Sequence, residues 1–338
     1  MPPPIPPPIP PPIPRLSDVA RAAGTSPITA SRALRAPDQV APATRARVEA
    51  AARALGYVPN LLAGALASAR THTVGVLVPT IASSIFAATI NGLTSVLEEA
   101  GFALLLAQSG YDPAREARGL AALLGHRPEG VVCIGAPLSP ASAAMLAAAR
   151  RAGTAVVETW EIPDAPIGAA VGFDNHAVGR AVAAHFAAAG RRRLVFAGGT
   201  DPRAAARSAG FAAGARDAGL PAPARLRLPV PAAMDNATEA CRTDPRLATA
   251  DAVFAATDIH AMGLLTGFRA LGRAVPDAVA VVGLGDLDLA RHTQPALSSV
   301  RIDGDAIGRR AAALILEGGG DPPPRIDLGF TLIARASG

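Results

Sequence analysis

The chain has 338 residues, half of them hydrophobic, which is enough for two or three domains, each with its own core. Its two cysteines, Cys133 and Cys241, sit in no CxxC or Cys/His cluster, so a disulfide scaffold and structural zinc are excluded. All 32 basic residues are arginine, and no run of eighteen apolar residues marks a membrane span.

The formal charge of +5 is unevenly spread. Residues 1–70 carry eight arginines against Asp18, Asp38 and Glu49, a net of +5, so residues 71–338 sum to zero. A small basic segment joined to a neutral body is the pattern expected where only that segment meets phosphate.

Residues 1–14, MPPPIPPPIPPPIP, are restricted to polyproline II or disorder and are expected to be a disordered extension. They lack the basic start and continuous apolar stretch of a signal peptide. From Leu16 the spacing of Leu16, Val19, Ala20 and Ala23 predicts a helix that Gly24 stops. Ser26 is placed to cap a second helix, Pro27 to Leu34, with proline at its first position. That helix puts Ile28, Thr29 and Arg32 on one side and Ala30, Ala33 and Leu34 on the other. Two short helices around a tight glycine turn are equally an ordinary helical hairpin or a helix-turn-helix, whose second helix enters the DNA major groove. A third helix opens at Pro42, buries Val48, Ala51, Ala52 and Leu55, and ends at Gly56. The short apolar segment that follows, up to Arg70, reads as a plain linker or as a helix that orders only on a partner.

From Thr73 onward, ten apolar runs alternate with Ala-rich helical stretches: 74–79, 103–108, 130–135, 155–160, 169–174, 193–199, 225–230, 252–257, 279–285 and 298–303. Continuous apolar strands separated by helices predict parallel sheets covered on both faces, and ten strands predict two α/β lobes. Ligands of such sheets bind beyond the carboxyl ends of the strands. Gathered at those ends are Ser83, Ser84 and Phe86; Glu158 and Trp160; Phe173 and Asp174; Asp201 and Arg207; Thr257 and Asp258; and Asp286. Acidic acceptors, an arginine donor and aromatic faces suit a sugar or sugar acid. No catalytic constellation assembles: GxGxxG, P-loop and GxSxG motifs are lacking, and the six histidines have no metal-ligand spacing. Neither an enzyme nor a cofactor or metal site is expected.

LSDVARAAGTSPITASRAL, followed by ALGYVPN and two lobes of this pattern, resembles the lactose-repressor family of transcription factors over about residues 15–335. VPTIASSIFA, SGYDP, VVETW, VGFDN and DLGFTL make it most similar to the gluconate-utilisation repressors. The resemblance implies a small all-α helix-turn-helix domain (15–58), a hinge helix and linker (59–72), and a periplasmic-binding-protein-like core of two doubly wound parallel-sheet lobes (73–335). It implies base reading by Pro27, Ile28 and Arg32 and phosphate contacts by Ser26, Thr29, Ser31 and Thr44. Asn60 and Leu66 would belong to the hinge, which wedges the minor groove. In the core it implies an effector site containing Arg207 and Asp286, with Phe86, Glu158, Thr257 and Asp258 around it. The expected protein is a cytoplasmic, homodimeric repressor of a palindromic operator on double-stranded DNA, controlled by a sugar acid such as gluconate. A periplasmic-type sugar-binding protein is the alternative.

Several positions depart from the family pattern. Arg15 and Ala41 replace the usual Thr and Ser caps, each loss costing about 1 kcal/mol, and Ser17 is expected to start the first helix two residues later. Thr25 and Ala30 replace valines, Leu61 an arginine, Thr257 an asparagine and Gly285 an aspartate. No leucine heptads follow Arg335, so a dimer rather than a tetramer is expected.

Overall fold

The computed structural model describes residues 14–58, 71–81, 84–230 and 232–338. The chain divides into two compact units, Met1–Thr71 and His72–Gly338.

The first unit is built from α1 (Leu16–Ala22), α2 (Pro27–Arg35) and α3 (Pro42–Leu55). Helix α1 begins at Leu16 rather than at the position Ser17 would set. Arg15 takes the cap position without a side-chain bond, and the Asp18 carboxylate accepts the Arg15 N–H at 2.9 Å. An acid three residues into the helix thus satisfies a donor that the absent Thr would have left in place. Ser26 caps α2 by accepting the Thr29 N–H at 3.1 Å, whereas Ala41 gives α3 no side-chain cap. Gly56, at φ +63°, closes α3 in the left-handed conformation that glycine adopts most easily. The core is thin: Val19, Ala20, Ala23, Ala30, Ala33, Val48 and Ala52. Leu55 is 38% exposed rather than buried. It lies in the last turn, and Tyr57, beyond the glycine, packs on the core instead.

The second unit has two six-stranded sheets. The first runs in the order β2 (Ala103–Gln108), β1 (Thr73–Val78), β3 (Gly130–Ile134), β4 (Ala155–Thr159), β5 (Ala169–Gly172) and β11 (Arg325–Asp327), all parallel. The second runs β7 (Ala224–Arg227), β6 (Leu194–Gly198), β8 (Ala252–Ala255), β9 (Ala280–Gly285), β10 (Ser298–Arg301) and β12 (Thr331–Ile333), parallel except for β12. Ten of these strands answer the ten apolar runs. Strands β11 and β12, three residues each, were not expected; they are half-exposed edge strands without an apolar run to announce them. The chain passes between the lobes after β5, after β10 and after β11.

The helices are α4 (Ala87–Glu99), α5 (Pro113–Gly125), α6 (Pro140–Arg151), α7 (Asn175–Ala188), α8 (Pro202–Asp217), α9 (Ala233–Thr243), α10 (Pro245–Thr249), α11 (Asp258–Ala270) and α12 (Gly304–Leu316). Three pairs pack closely, α4 on α12, α7 on α8 and α9 on α11, and glycine makes that approach possible. A Cβ at Gly308 would collide with the Thr89 carbonyl, and one at Gly210 with the His176 carbonyl. The main core runs from Val76 and Val132 through Phe86, Trp160 and Phe173 to Phe186, Phe196, Phe211 and Phe254, so one apolar body joins both lobes.

Each sheet changes strand direction of growth at one place: between β1 and β3 in the first lobe, and between β6 and β8 in the second. Crevices open at such switch points, beyond the carboxyl ends of the strands.

Candidate functional site

In the first unit, α2 buries Ala30 and Ala33 and turns Pro27, Ile28 and Arg32 to solvent, with Ile28 66% exposed. An exposed isoleucine beside an arginine, on a helix whose other face is packed, has the chemistry that suits base edges and thymine methyls. Ser26, Thr29, Ser31 and Thr44 lie at the N-terminal ends or flanks of α2 and α3. Ser26 and Thr29 hydroxyls are 2.9 Å apart, so one hydroxyl pair both caps the helix and faces solvent. Arg21 and Arg45 pair within their own helices, with Asp18 at 3.3 Å and Glu49 at 2.7 Å. Asn60, Leu66 and Ser83 lie outside the described residues.

The second unit places a cleft between its lobes. A groove of about 450 Å³ is lined by Gln108, Tyr111 and Arg115 of the first lobe and by Val230, Met234 and Thr257 of the second. Beside it lies a much smaller space, about 20 Å³, lined by Tyr111, Gly135, Glu161, Asp201 and Arg203. The backbone is strained around this cleft. Tyr111 and Ala232, which line the groove, have φ of 59° and 55°, and Trp160, next to Glu161, has φ of 69°. Such conformations cost on the order of 1–3 kcal/mol each for non-glycine residues and gather at ligand sites.

Arg207 and Arg203, both on α8, are each 6% exposed. The Arg207 guanidinium donates to Asn175 Oδ1, and Asn175 Nδ2 donates onward to the Trp160 carbonyl at 3.0 Å. Arg203 Nε lies 3.5 Å from Asp201 Oδ1, and its guanidinium carbon sits 5.4 Å from the Phe86 ring centre. Arg207 Nε and one terminal nitrogen of Arg203 are buried without a hydrogen-bond partner among the described residues. Burial draws the Arg207 pKa down to about 10 despite the nearby Asp201. Burial opposes ionisation of Asp201, yet the two guanidiniums and the Ala204 N–H hold its carboxyl below the usual range. Burial raises the Glu161 carboxyl against the pull of Arg203, and its oxygen accepts the Ala136 N–H. Phe86, Trp160 and Phe173 stack edge to face at 5.0 and 5.9 Å, and the indole N–H donates to Thr89 at 3.0 Å.

Of the expected effector residues, Thr257 lines the groove, whereas Phe86 and Arg207 are buried behind it, Phe86 against the Arg203 guanidinium and Arg207 near Tyr111, Asp201 and Glu161. Thr257 also caps α11, accepting the His260 N–H at 3.3 Å. The three acids are spent elsewhere. Glu158 falls on the same face of β4 as Val156 and accepts the Ile167 N–H at 2.6 Å and the Gly168 N–H at 3.3 Å, pinning a loop. Asp258 is fully buried, accepting Leu287 N–H at 2.7 Å and Ser299 O–H at 2.6 Å. Asp286 is held by Arg301 at 2.7 Å and Arg335 at 2.6 Å. The acids that face Arg207 are instead Asp201 and Glu161. Tyr111, Glu161 and Arg203 were missed; the first two lie inside or directly after the SGYDP and VVETW stretches that carry the resemblance.

These features agree with what comparison finds. Residues 15–60 match the model of bacterial regulatory proteins of the lacI family, and residues 183–338 match a periplasmic binding protein-like domain. The HTH-type transcriptional regulator GntR of Pseudomonas aeruginosa is 36% identical over 331 residues, which are 95% of each chain. The chain belongs to the LacI family. Among solved structures, a LacI-family transcriptional regulator from Silicibacter pomeroyi superposes with a TM-score of 0.86 at 33% identity, covering 96% of this chain and 98% of that one. A complex of the transcriptional regulator CelR with cellobiose superposes with a TM-score of 0.68 at 30% identity, covering 96% and 100%. As a LacI-family member the protein is a DNA-binding transcriptional regulator with a periplasmic-binding-protein-like domain, and its relatives are regulators, not enzymes. The helix-turn-helix match sets aside a binding protein without DNA contact. Among the described residues no helix is long and apolar enough to cross a membrane.

Proposed function

We propose that this regulator is a cytoplasmic, homodimeric repressor that binds a palindromic operator and releases it when a sugar acid such as gluconate enters the interlobe cleft. The observation that carries the sugar-acid reading is the pair of buried arginines, 203 and 207, each with an N–H that has no partner among the described residues. An unsatisfied buried donor costs about 1–3 kcal/mol, more when charged, and an acidic ligand rich in hydroxyl acceptors removes that cost. Phe86 and Trp160 supply an apolar wall beside them. The domain borders follow from this reading: a DNA-binding unit over 15–58, a hinge over 59–72 that includes Asn60 and Leu66, and the effector and dimerisation core over 73–335. Ligand control then requires that the two lobe geometries differ in affinity for the effector and in the spacing of two hinges.

On DNA, Arg32 reads a guanine edge, Pro27 and Ile28 make apolar contacts to neighbouring base edges, and Ser26, Thr29, Ser31 and Thr44 fix register on phosphate. Binding of Arg32→Ala and Thr29→Ala to a set of operator variants, measured at constant salt, tests this assignment. Arg32→Ala should lose roughly 1–3 kcal/mol on the preferred operator and cease to discriminate at one base pair of each half-site. Thr29→Ala should weaken all duplexes alike. An Arg32→Ala protein that keeps its base preference contradicts the assignment.

A further inference from the structure

Arg203 and Arg207 are not equivalent. Arg207 is wired into a fixed chain of neutral partners, Asn175 and then the Trp160 carbonyl, that orients its guanidinium whatever the ligand. Its remaining donors suit hydroxyl groups, which an acid and a neutral polyol offer equally. Arg203 is held more loosely. Its Nε contact with Asp201, at 3.5 Å, is longer than a good hydrogen bond, the Tyr111 hydroxyl is its other side-chain partner, and its terminal Nη1 is buried with no partner among the described residues. The guanidinium lies over the Phe86 ring, 5.4 Å from its centre, and also against Gly135, where a Cβ would stand 3.3 Å from the guanidinium carbon. A flat cation packed on an aromatic ring and close to a glycine keeps its edge for polar partners, the part that forms a two-pronged contact with a carboxylate.

Its position across the cleft matters as much. Arg203 belongs to α8 of the second lobe, while Phe86, Gly135 and Tyr111 belong to the first. The Glu161 carboxylate, which accepts the Ala136 N–H, is near enough to feel the Arg203 charge without a direct hydrogen bond to it. Resting on the proposal that the cleft takes a sugar acid, we infer that Arg203, not Arg207, reads the acid group and is the residue that makes the site prefer an acid over the corresponding polyol. A carboxylate on its free edge would also fasten the two lobes through one side chain, because the helix that carries Arg203 and the ring that supports it lie on opposite sides of the cleft.

Calorimetric titration of the full-length protein with gluconate and with sorbitol, which has the same carbon skeleton with CH₂OH in place of the carboxylate, tests this. Wild type should bind gluconate more tightly than sorbitol by roughly 10- to 100-fold, the range of a charge-assisted contact. Arg203→Gln should weaken gluconate far more than sorbitol, so that the two affinities converge, and a cooperative thermal melt shows that the variant is folded. Arg203→Lys, keeping the charge without the planar fork, should retain part of the preference. Arg207→Gln should weaken both ligands together. If Arg203→Gln keeps the wild-type ratio of the two affinities, or Arg207→Gln alone abolishes it, this assignment is overturned while the sugar-acid reading stands. A wild type that binds gluconate no better than sorbitol overturns that reading and this one with it.

Discussion

The acids of the core divide by what their oxygens touch. Glu158 and Asp258 stand at strand ends as Glu161 and Asp201 do, yet only the latter two face the arginines of the cleft. Asp258 is the most demanding of the buried pair. It is fully buried, its pKa is raised by burial to about 6, and it closes the turn after β9 by holding Leu287 and Ser299. Because this folded-state value lies above the ordinary aspartate value, the folded chain holds the proton between pH about 4 and about 6 while the unfolded chain releases it. This group's contribution therefore falls as pH rises through that window and levels off above it, a change on the order of 2–3 kcal/mol. Asp258→Asn retains an acceptor for Leu287 and a partner for the rotatable Ser299 hydroxyl. Urea unfolding of wild type and variant from pH 4 to 7 should show the variant gaining relative stability as pH rises; a pH-independent difference would contradict the assignment. Sequence made the acids visible but not their partners. Strand alternation does place Glu158 with Val156 on the helix-covered face, whereas Arg203 offered only its nearness to Arg207 in DPRAAAR.

Among the elements, the helices that carry the site are set by glycines. Gly179, Gly210 and Gly214 let α7 and α8 approach until backbone meets backbone, and Arg207 stands one turn before Gly210 on α8. Gly210→Ala would drive its Cβ into the His176 carbonyl and push α8 away, carrying both arginines with it. Overpacking of this kind costs about 1–3 kcal/mol, which is a melting-temperature drop of roughly 2–4 °C per kcal/mol for a unit of this size. A thermal melt should show that drop together with weakened gluconate binding, whereas an unchanged melt would mean that the pair tolerates separation. Long apolar strands and periodic helices were legible because burial on both faces writes itself into composition. Strands β11 and β12 were not, since half-exposed edges need no apolar run; they bracket the crossing that the DLGFTL stretch encodes. The start of α1 was misplaced for a related reason. The side chain of Asp18, an ordinary helical position by pattern, satisfies the N–H of Arg15, so the helix begins without a capping hydroxyl.

At the scale of the whole chain, charge and core are distributed in opposite ways. The net +5 belongs to a basic unit whose buried set consists of two valines and five alanines, while the neutral unit carries large aromatic and aliphatic cores. A thin core in the DNA-binding unit is the expected cost of departures such as Ala30, and the family assignment of that unit rests on its sequence pattern as well as its fold. Control of DNA by the cleft needs only modest energy: a hundredfold change in operator affinity corresponds to about 2.7 kcal/mol of coupling, within the usual range for allosteric proteins. The most direct test is fluorescence anisotropy of the protein on a labelled palindromic operator, selected from a random duplex library, as gluconate is titrated. The account predicts that gluconate returns the signal to that of free duplex and that sorbitol and glucose leave the complex intact. A complex that survives saturating gluconate, or that neutral sugars dissolve equally well, would contradict it.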